Sequence, residues 1–93
     1  MNEQETLKQI AEEEKKHKLL LSNYADVVKT AAGRAVIWDI LDACGIYASI
    51  PPSEKQTEFL LGKRDLGIFI ISRLGARDPG AYPKILSEKL NNG

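Results

Sequence analysis

The stretch that decides the fold is EKQTEFLLGKRDLGIFIISRLG, residues 54–75. Apolar residues at helical spacing and a terminal glycine predict one long helix from about Glu54 to Leu74, which Gly75 ends. Its main apolar arc contains Phe59, Leu60, Leu66, Ile70, Ile71 and Leu74. A second apolar line, with Leu61 and Ile68, runs on nearly the opposite side, and Phe69 lies on another flank. A helix that is apolar almost all round is enclosed by its own chain or partly buried by another molecule.

Two glycines interrupt this helix. Gly62 and Gly67 each cost roughly 1 kcal/mol relative to alanine in a helix interior. We therefore expect another part of the backbone to approach the helix closely at both positions.

The N-terminal segment is predicted to be a charged helix from Glu3 to Leu21, because it contains strong helix formers and neither glycine nor proline. Its apolar stripe is thin, and a heptad frame places two polar residues in the seam. We expect its first half to fray or to project into solvent until a partner covers it. Ser22 and Asn23 are expected to interrupt the helix.

Two more helices are predicted. One runs from about Ala31 to Cys44, with Thr30 as its N-cap and Gly45 as the residue that ends it. Its apolar arc contains Val36, Ile37, Ile40, Leu41 and Cys44. The other is short and runs from Pro79 to about Leu90, because Asp78 fits an N-cap and Pro79 fits the first helical position. Its apolar face contains Tyr82, Ile85, Leu86 and Leu90.

These elements predict an all-α fold, a small helical bundle of three main helices and a short C-terminal helix. We divide the chain into a charged, partner-dependent N-terminal helix (1–22), a helical domain (23–90) and a disordered tail (91–93). With 93 residues the chain has room for one domain, and we expect modest stability unless partners contribute.

Charge and hydropathy exclude several functions. Thirteen Lys and Arg balance thirteen Asp and Glu, so the net charge is zero and no segment is a polycation. This argues against charge-driven DNA wrapping and against a polybasic membrane anchor. The longest nearly apolar run, Leu66 to Ile71, is far shorter than the ~20 residues of a membrane-spanning helix. We expect neither a membrane span nor a secretory signal.

The single histidine and the single cysteine are not placed for chemistry. His17 has no cysteine, aspartate or second histidine spaced to share a metal ion. Cys44 lies in the middle of an apolar arc, which favours burial as a small hydrophobic residue over a nucleophilic role. We therefore predict no catalytic residue, no metal and no cofactor.

The charged residues beside the glycines have two interpretations. The first is an internal polar network of Arg34, Trp38, Asp39, Lys63, Arg64 and Asp65. Such buried pairs specify geometry more reliably than they add stability. The second is direct recognition of a partner by Arg34, Lys63 and Arg64. Four cations near the C-terminus are candidates for phosphate contact, namely Arg73, Arg77, Lys84 and Lys89. For Arg73 and Arg77, a solvated helix C-terminus is the simpler explanation.

Three motifs carry a resemblance to a known family. They are GRAVIWDILDACGIY (33–47), FLLGKRDLGIF (59–69) and DPGAY (78–82). Together they resemble a small domain of tailed-phage proteins, the Bordetella-phage or Bbp-type domain. That pattern has a Gly-Arg-Arg opening, a Cys-Gly-aromatic turn, a Gly-Arg-Arg-Asp-x-Gly stretch and a closing Asp-Pro-x-x-Tyr. The chain departs from it at Ala35 and Lys63, where the family has arginines.

The resemblance implies a phage-encoded protein without enzyme activity. We expect a virion or head-assembly component that docks as a helical module on an oligomeric portal, capsid or internal head protein. It would lie in the phage head or portal region, and in the host cytoplasm during assembly. The residues expected at the protein interface are Leu7, Ile10, Leu21, Leu61, Ile68 and Phe69. The alternatives are a small helical nucleic-acid-binding or DNA-packaging accessory protein, which zero net charge disfavours, and an inhibitor of a host enzyme.

Overall fold

The computed structural model describes residues 2–50 and 54–91, and those residues form four helices without a β-strand. The helices are α1 (Glu3–Val27), α2 (Ala31–Ala43), α3 (Glu54–Gly75) and α4 (Ala81–Asn91). The predicted all-α helical bundle is therefore confirmed. Asn91 belongs to α4, whereas residues 92 and 93 of the predicted tail lie outside the described residues.

Helix α1 is longer than the sequence predicts. It continues to Val27, so the expected interruption at Ser22 and Asn23 is wrong. Ser22, Tyr24 and Ala25 are half-buried against the rest of the chain. Tertiary packing of this face stabilises helical turns that residue propensity alone would end.

The junction of α1 and α2 depends on one glycine. Thr30 is the N-cap of α2, as predicted, because its Oγ1 accepts a hydrogen bond from the Gly33 N–H at 3.0 Å. A Cβ atom at Gly33 would lie 1.7 Å from the carbonyl oxygen of Val27. No side chain fits in that space, so the end of α1 crosses the start of α2 in a contact that requires glycine. At the other end of α2, Gly45 adopts a φ of 69°, the left-handed conformation predicted there.

The two glycines inside α3 have different environments. A Cβ atom at Gly67 would lie 2.7 Å from Cγ2 of Ile46 and 3.0 Å from Cβ of Cys44. An element does approach closely there, but through side-chain atoms rather than through the backbone that the sequence predicts. The glycine lets α3 pack against the end of α2. The same expectation is wrong for Gly62, where a Cβ atom would meet nothing within 4 Å.

Helix α4 begins two residues later than predicted. Asp78 Oδ1 accepts a hydrogen bond from the Gly80 N–H at 3.1 Å, and its carbonyl oxygen accepts one from the Ala81 N–H at 3.0 Å. Asp78 thus organises a turn ahead of the helix rather than its first residue. Pro79 lies within that turn.

The core is small. Its buried apolar residues are Val28, Leu41, Cys44, Leu74, Ala81 and Ile85. Tyr24, Ile37, Trp38 and Ile70 pack against it and are partly buried. Several residues that the sequence assigns to apolar arcs are instead exposed, namely Val36, Ile40, Phe59, Leu66 and Leu90. The predicted apolar arcs do lie on single helical faces. The rest of the chain, however, packs against only part of each face.

The molecule is elongated. Its Cα radius of gyration is 17.3 Å, whereas a compact chain of this length has about 12 Å. Its accessible surface is 6965 Å², against about 5,400 Å² for a compact protein of this mass. Much of the difference comes from α1, which has no buried residue and is exposed throughout residues 2–20. The prediction that its first half projects is confirmed.

Candidate docking surfaces

Arg34 is the centre of a polar clamp that holds three helices together. Its side chain is buried, with 8% of its surface exposed. The Nε–H donates to both carboxylate oxygens of Glu88 on α4, at 2.8 and 2.9 Å. Nη1 donates to the carbonyl oxygens of Val28 and Lys29, at 3.0 Å each. One guanidinium therefore joins the α1–α2 turn to α4 and satisfies two carbonyl groups at the end of α1.

The clamp controls the ionisation of Glu88. The hydrogen bond from Arg34 holds the pKa of this carboxyl below its usual value, partial burial opposes that effect, and the positive charges of Arg34 and Lys84 reinforce it. Beside the clamp, Trp38 and Ile85 line a cleft of about 250 Å³ between α2 and α4. The volume suits one inserted side chain rather than an extended substrate.

A second set of contacts fixes the connector between α2 and α3. Nη2 of Arg64 donates to the carbonyl oxygen of Ala48 at 2.6 Å. The hydroxyl groups of Tyr47 and Tyr82 are hydrogen-bonded to each other, which joins the connector to α4. Burial, followed by the hydrogen bond with Tyr47, raises the pKa of Tyr82 to about 12. The phenol therefore stays neutral and serves as a tie between elements.

The motif residues thus contact other parts of the same chain and form a scaffold. Members of this scaffold are Gly33, Arg34, Tyr47, Arg64, Gly67 and Tyr82. Each makes a contact between helices or fixes a connector. These motif residues therefore contribute to the framework of the fold.

The six residues of the expected polar network are not joined into one. Arg34 pairs with Glu88, and Arg64 binds a backbone carbonyl. Lys63 Nζ lies 5.5 Å from the ring centre of Phe59. Trp38 packs against the core, and Asp39 and Asp65 are exposed.

Two of the four phosphate candidates are engaged with α1. Cζ of Arg73 lies 4.8 Å from the ring centre of Phe69, and its Nη1 donates to Nδ1 of His17 at 3.3 Å. Arg77 Nη2 donates to the carbonyl oxygen of Lys18 at 3.4 Å. These arginines join the C-terminal end of α3 to the middle of α1. The other two candidates, Lys84 and Lys89, are exposed on α4.

The predicted interface residues lie on the surface, with one exception. Leu7 and Ile10 are exposed on α1, and Leu61, Ile68 and Phe69 are exposed on α3. Leu21 is half-buried on the side of α1 that faces the body.

Sequence reasoning missed an apolar notch between α1 and α2. Its lining residues are Leu20, Asn23, Tyr24, Val27 and Ile37, and it encloses about 190 Å³. Ile40 lies about one helical turn after Ile37, and Val36 directly precedes it; both side chains are exposed and extend the apolar surface. The spacing of Leu20, Tyr24 and Val27 is helical and could have revealed this face, but the expected break at Ser22 divided it.

Two further features of the described residues are metal-ligand clusters and membrane-spanning helices, and neither is found. The described residues contain no cluster of three or more His, Cys, Asp or Glu that could hold a metal ion. None of the helices in ranges 2–50 and 54–91 has the length and apolarity required to cross a bilayer. Cys44 is buried with a free thiol, as its position in the apolar arc predicts.

A family model described as Bbp19-like phage protein matches residues 24–87. The match starts in the last turn of α1 and includes α2, α3 and most of α4, so it coincides with the scaffold rather than with the projecting half of α1. Neither a curated protein nor a solved structure matches the chain. The resemblance carried by the three motifs is confirmed, and this chain belongs to the family of Bbp19-like phage proteins.

Proposed function

We propose that this protein is a non-enzymatic structural component of a phage, acting in the virion or in head assembly. It docks as a helical module on an oligomeric portal, capsid or internal head protein. One observation carries the proposal, the large amount of apolar surface left uncovered. Among the described residues, fourteen large apolar side chains are exposed while six apolar residues form the core. Exposed apolar surface on this scale is typical of a protein that binds another protein.

Family membership supports a phage partner, and the shape of the chain supports a multimeric one. A small module has little area to offer in a single contact. When many copies bind a symmetric ring or shell, avidity raises the overall affinity without any new contact. Each copy therefore needs only a modest interface.

The residues proposed for docking lie on two elements. Leu61 and Ile68 form a line on the outer side of α3, and Phe69 lies on a neighbouring flank. Leu7 and Ile10 form the exposed stripe of α1, and Leu21 continues that stripe toward the body. We expect the line of Leu61 and Ile68 to contact the phage protein, because both side chains are exposed, at 42% and 52%.

Two measurements, made one after the other, test this structural role. Mass spectrometry of purified virions should detect peptides of this chain at a fixed ratio to the portal protein. Purified portal rings or capsids should then carry the wild-type chain with them in sedimentation. Absence from virions, together with failure to co-sediment with either assembly, would overturn the proposal. Salt-sensitive binding to duplex DNA in its place would favour the packaging alternative.

The docking residues have a matched control. Ile68→Glu places a carboxylate in the middle of the proposed line and should reduce co-sedimentation at least tenfold. Leu90→Glu places the same charge on an exposed leucine of α4, 74% exposed against 52% for Ile68, and should leave binding unchanged. Equal binding by both variants would remove Ile68 from the interface.

A further inference from the structure

One face of α3 carries an unoccupied helix-packing seam. The α3 seam consists of Phe59, Gly62, Leu66, Phe69 and Arg73, whose spacing of three and four residues places them in one line. The side chains of Phe59, Leu66 and Phe69 are 67%, 55% and 47% exposed. This line differs from that of Leu61 and Ile68, which lies on the opposite flank of the same helix.

Gly62 lies within the seam and has no close neighbour among the described residues outside its own helix. A Cβ atom there would meet nothing within 4 Å, yet glycine at this position costs the isolated helix about 1 kcal/mol. A glycine between large apolar residues lets a second helix approach closely. The seam thus has the form of a surface for a helix that this chain does not itself supply.

Two cations mark the ends of the seam. Lys63 Nζ lies over the ring of Phe59, and the Arg73 guanidinium lies over the ring of Phe69. The two residues are ten positions apart, which corresponds to about 15 Å along the helix axis. An apolar helix with two carboxylates at a similar separation would match both the shape and the charge of this surface.

The first turns of α1 have those properties. The α1 arm, residues 3–14, contains five glutamates and one lysine, a net charge of −4. Glu3, Leu7, Ile10 and Glu14 share one helical face, because their spacing is four, three and four residues. The two carboxylates are eleven positions apart, or about 16 Å. Leu7 and Ile10 lie between them and are 65% and 50% exposed.

The arm cannot cover the seam of its own chain as folded. It belongs to a single continuous helix whose body-facing residues, Leu21, Tyr24 and Val28, continue the same line. The contact of His17 with Arg73 places the base of the arm beside the end of the seam, but both surfaces remain exposed. The helix that fits the seam must come from another molecule.

We propose that the α1 arm of one copy docks on the α3 seam of a second copy. Glu3 and Glu14 face Lys63 and Arg73, while Leu7 and Ile10 pack over Gly62 and Leu66. A two-fold axis makes the contact reciprocal, so that a dimer contains two arms seated on two seams.

The uncovered area agrees with a dimer of this kind. The accessible surface of 6965 Å² exceeds that of a compact chain by about 1,600 Å². A standard protein interface buries about 800 Å² on each partner. Half of the excess therefore suffices for self-association. In this dimer Leu7, Ile10 and Phe69 contact the second copy, and Leu61 and Ile68 on the other flank of α3 remain for the phage protein.

The proposal is tested by measuring the molar mass of the full-length chain at increasing concentration, using light scattering coupled to size exclusion. The wild type should approach twice the monomer mass. Leu66→Glu in the seam and the double substitution Leu7→Glu with Ile10→Glu in the arm should each remain monomeric, and circular dichroism should show unchanged helicity because all three positions are exposed. Leu90→Glu should dimerise like the wild type.

Mixing the two monomeric variants gives the sharper result. The arm of Leu66→Glu is intact and the seam of the double variant is intact, so the mixture should form a heterodimer through one remaining contact. An arm-to-arm or seam-to-seam dimer would not be restored by mixing, and that outcome would overturn the proposal. So would a wild type that stays monomeric at millimolar concentration.

The docking function proposed above does not depend on this dimer. A monomeric wild type that still co-sediments with portal rings, and loses that binding on Leu66→Glu, would show that the seam belongs to the phage protein instead. That result would overturn self-association while leaving the docking role intact.

Discussion

Gly33 lies where the end of α1 crosses the start of α2. A Cβ atom at this position would lie 1.7 Å from the Val27 carbonyl oxygen, so Gly33→Ala must open the junction. That movement also displaces the carbonyl groups that bind Arg34. We expect the free energy of unfolding to fall by about 3 kcal/mol or more in urea denaturation.

Gly62→Ala is the matched control for this change. Because a Cβ atom at Gly62 would meet nothing within 4 Å, alanine should stabilise the dilute, monomeric chain by about 1 kcal/mol. If Gly33→Ala left the urea midpoint unchanged or raised it, as expected for Gly62→Ala, the α1–α2 junction described above would be wrong.

The Arg34–Glu88 pair makes stability depend on pH. The pKa of Glu88 is lowered in the folded chain by its hydrogen bond from Arg34, so the folded state binds a proton less readily than the unfolded state. The stabilisation is complete above the unfolded pKa and is lost as pH falls through the lowered value. Glu88→Gln should destabilise the chain most at neutral pH.

Urea titrations at a series of pH values measure this effect. The difference between the wild type and Glu88→Gln should narrow as the solution becomes acidic, because the protonated wild type resembles the amide. If the difference in unfolding free energy between the two proteins stayed constant from neutral pH to about pH 3, the pair would contribute nothing through its charge.

At the scale of the helix, α3 has an inner and an outer face with different energetics. Leu74 is fully buried in the core, whereas Leu66 is 55% exposed on the seam. Leu74→Ala removes packed methyl groups and should cost about 2–5 kcal/mol. Leu66→Ala should change the unfolding free energy of the monomer by less than about 1 kcal/mol. Thermal unfolding at low protein concentration compares the two, and a larger cost at Leu66 would reverse the assignment of faces.

The existence of the helices could be predicted from the sequence, but the end of α1 and the start of α4 could not. Thr30 and Gly45 flank α2 as their local chemistry requires, because a cap and a left-handed glycine act within a few residues. The end of α1 depends instead on packing of its last turns against the body. That contact is not local, so Ser22 and Asn23 were misleading.

Surfaces were harder to predict than helices. A helical wheel places Val36, Ile40, Phe59 and Leu66 on apolar faces correctly, but it does not tell which edge of a face the chain covers. The partner of Arg34 could not be predicted from the sequence either, since Glu88 lies 54 positions away along the chain. Only the fold brings the two residues together.

For the whole molecule, elongation follows from a scaffold that buries little and an N-terminal helix that extends beyond it. The family match to residues 24–87 covers the scaffold. The charged half of α1 lies outside the match and is exposed throughout. This separation implies that the scaffold supplies the stability of the fold and that the projecting turns are available for contacts.

Deletion of residues 2–14 tests that division of roles. Because every residue removed is exposed, the urea midpoint of the dilute chain should stay within error of the wild type, and the radius of gyration from small-angle scattering should fall from near 17.3 Å. Deletion of residues 2–21 also removes the half-buried Leu21 and should lower the midpoint clearly. A short deletion as damaging as the long one would mean that the projecting turns fold back on the scaffold, and that the elongated shape is not the one the chain adopts in solution.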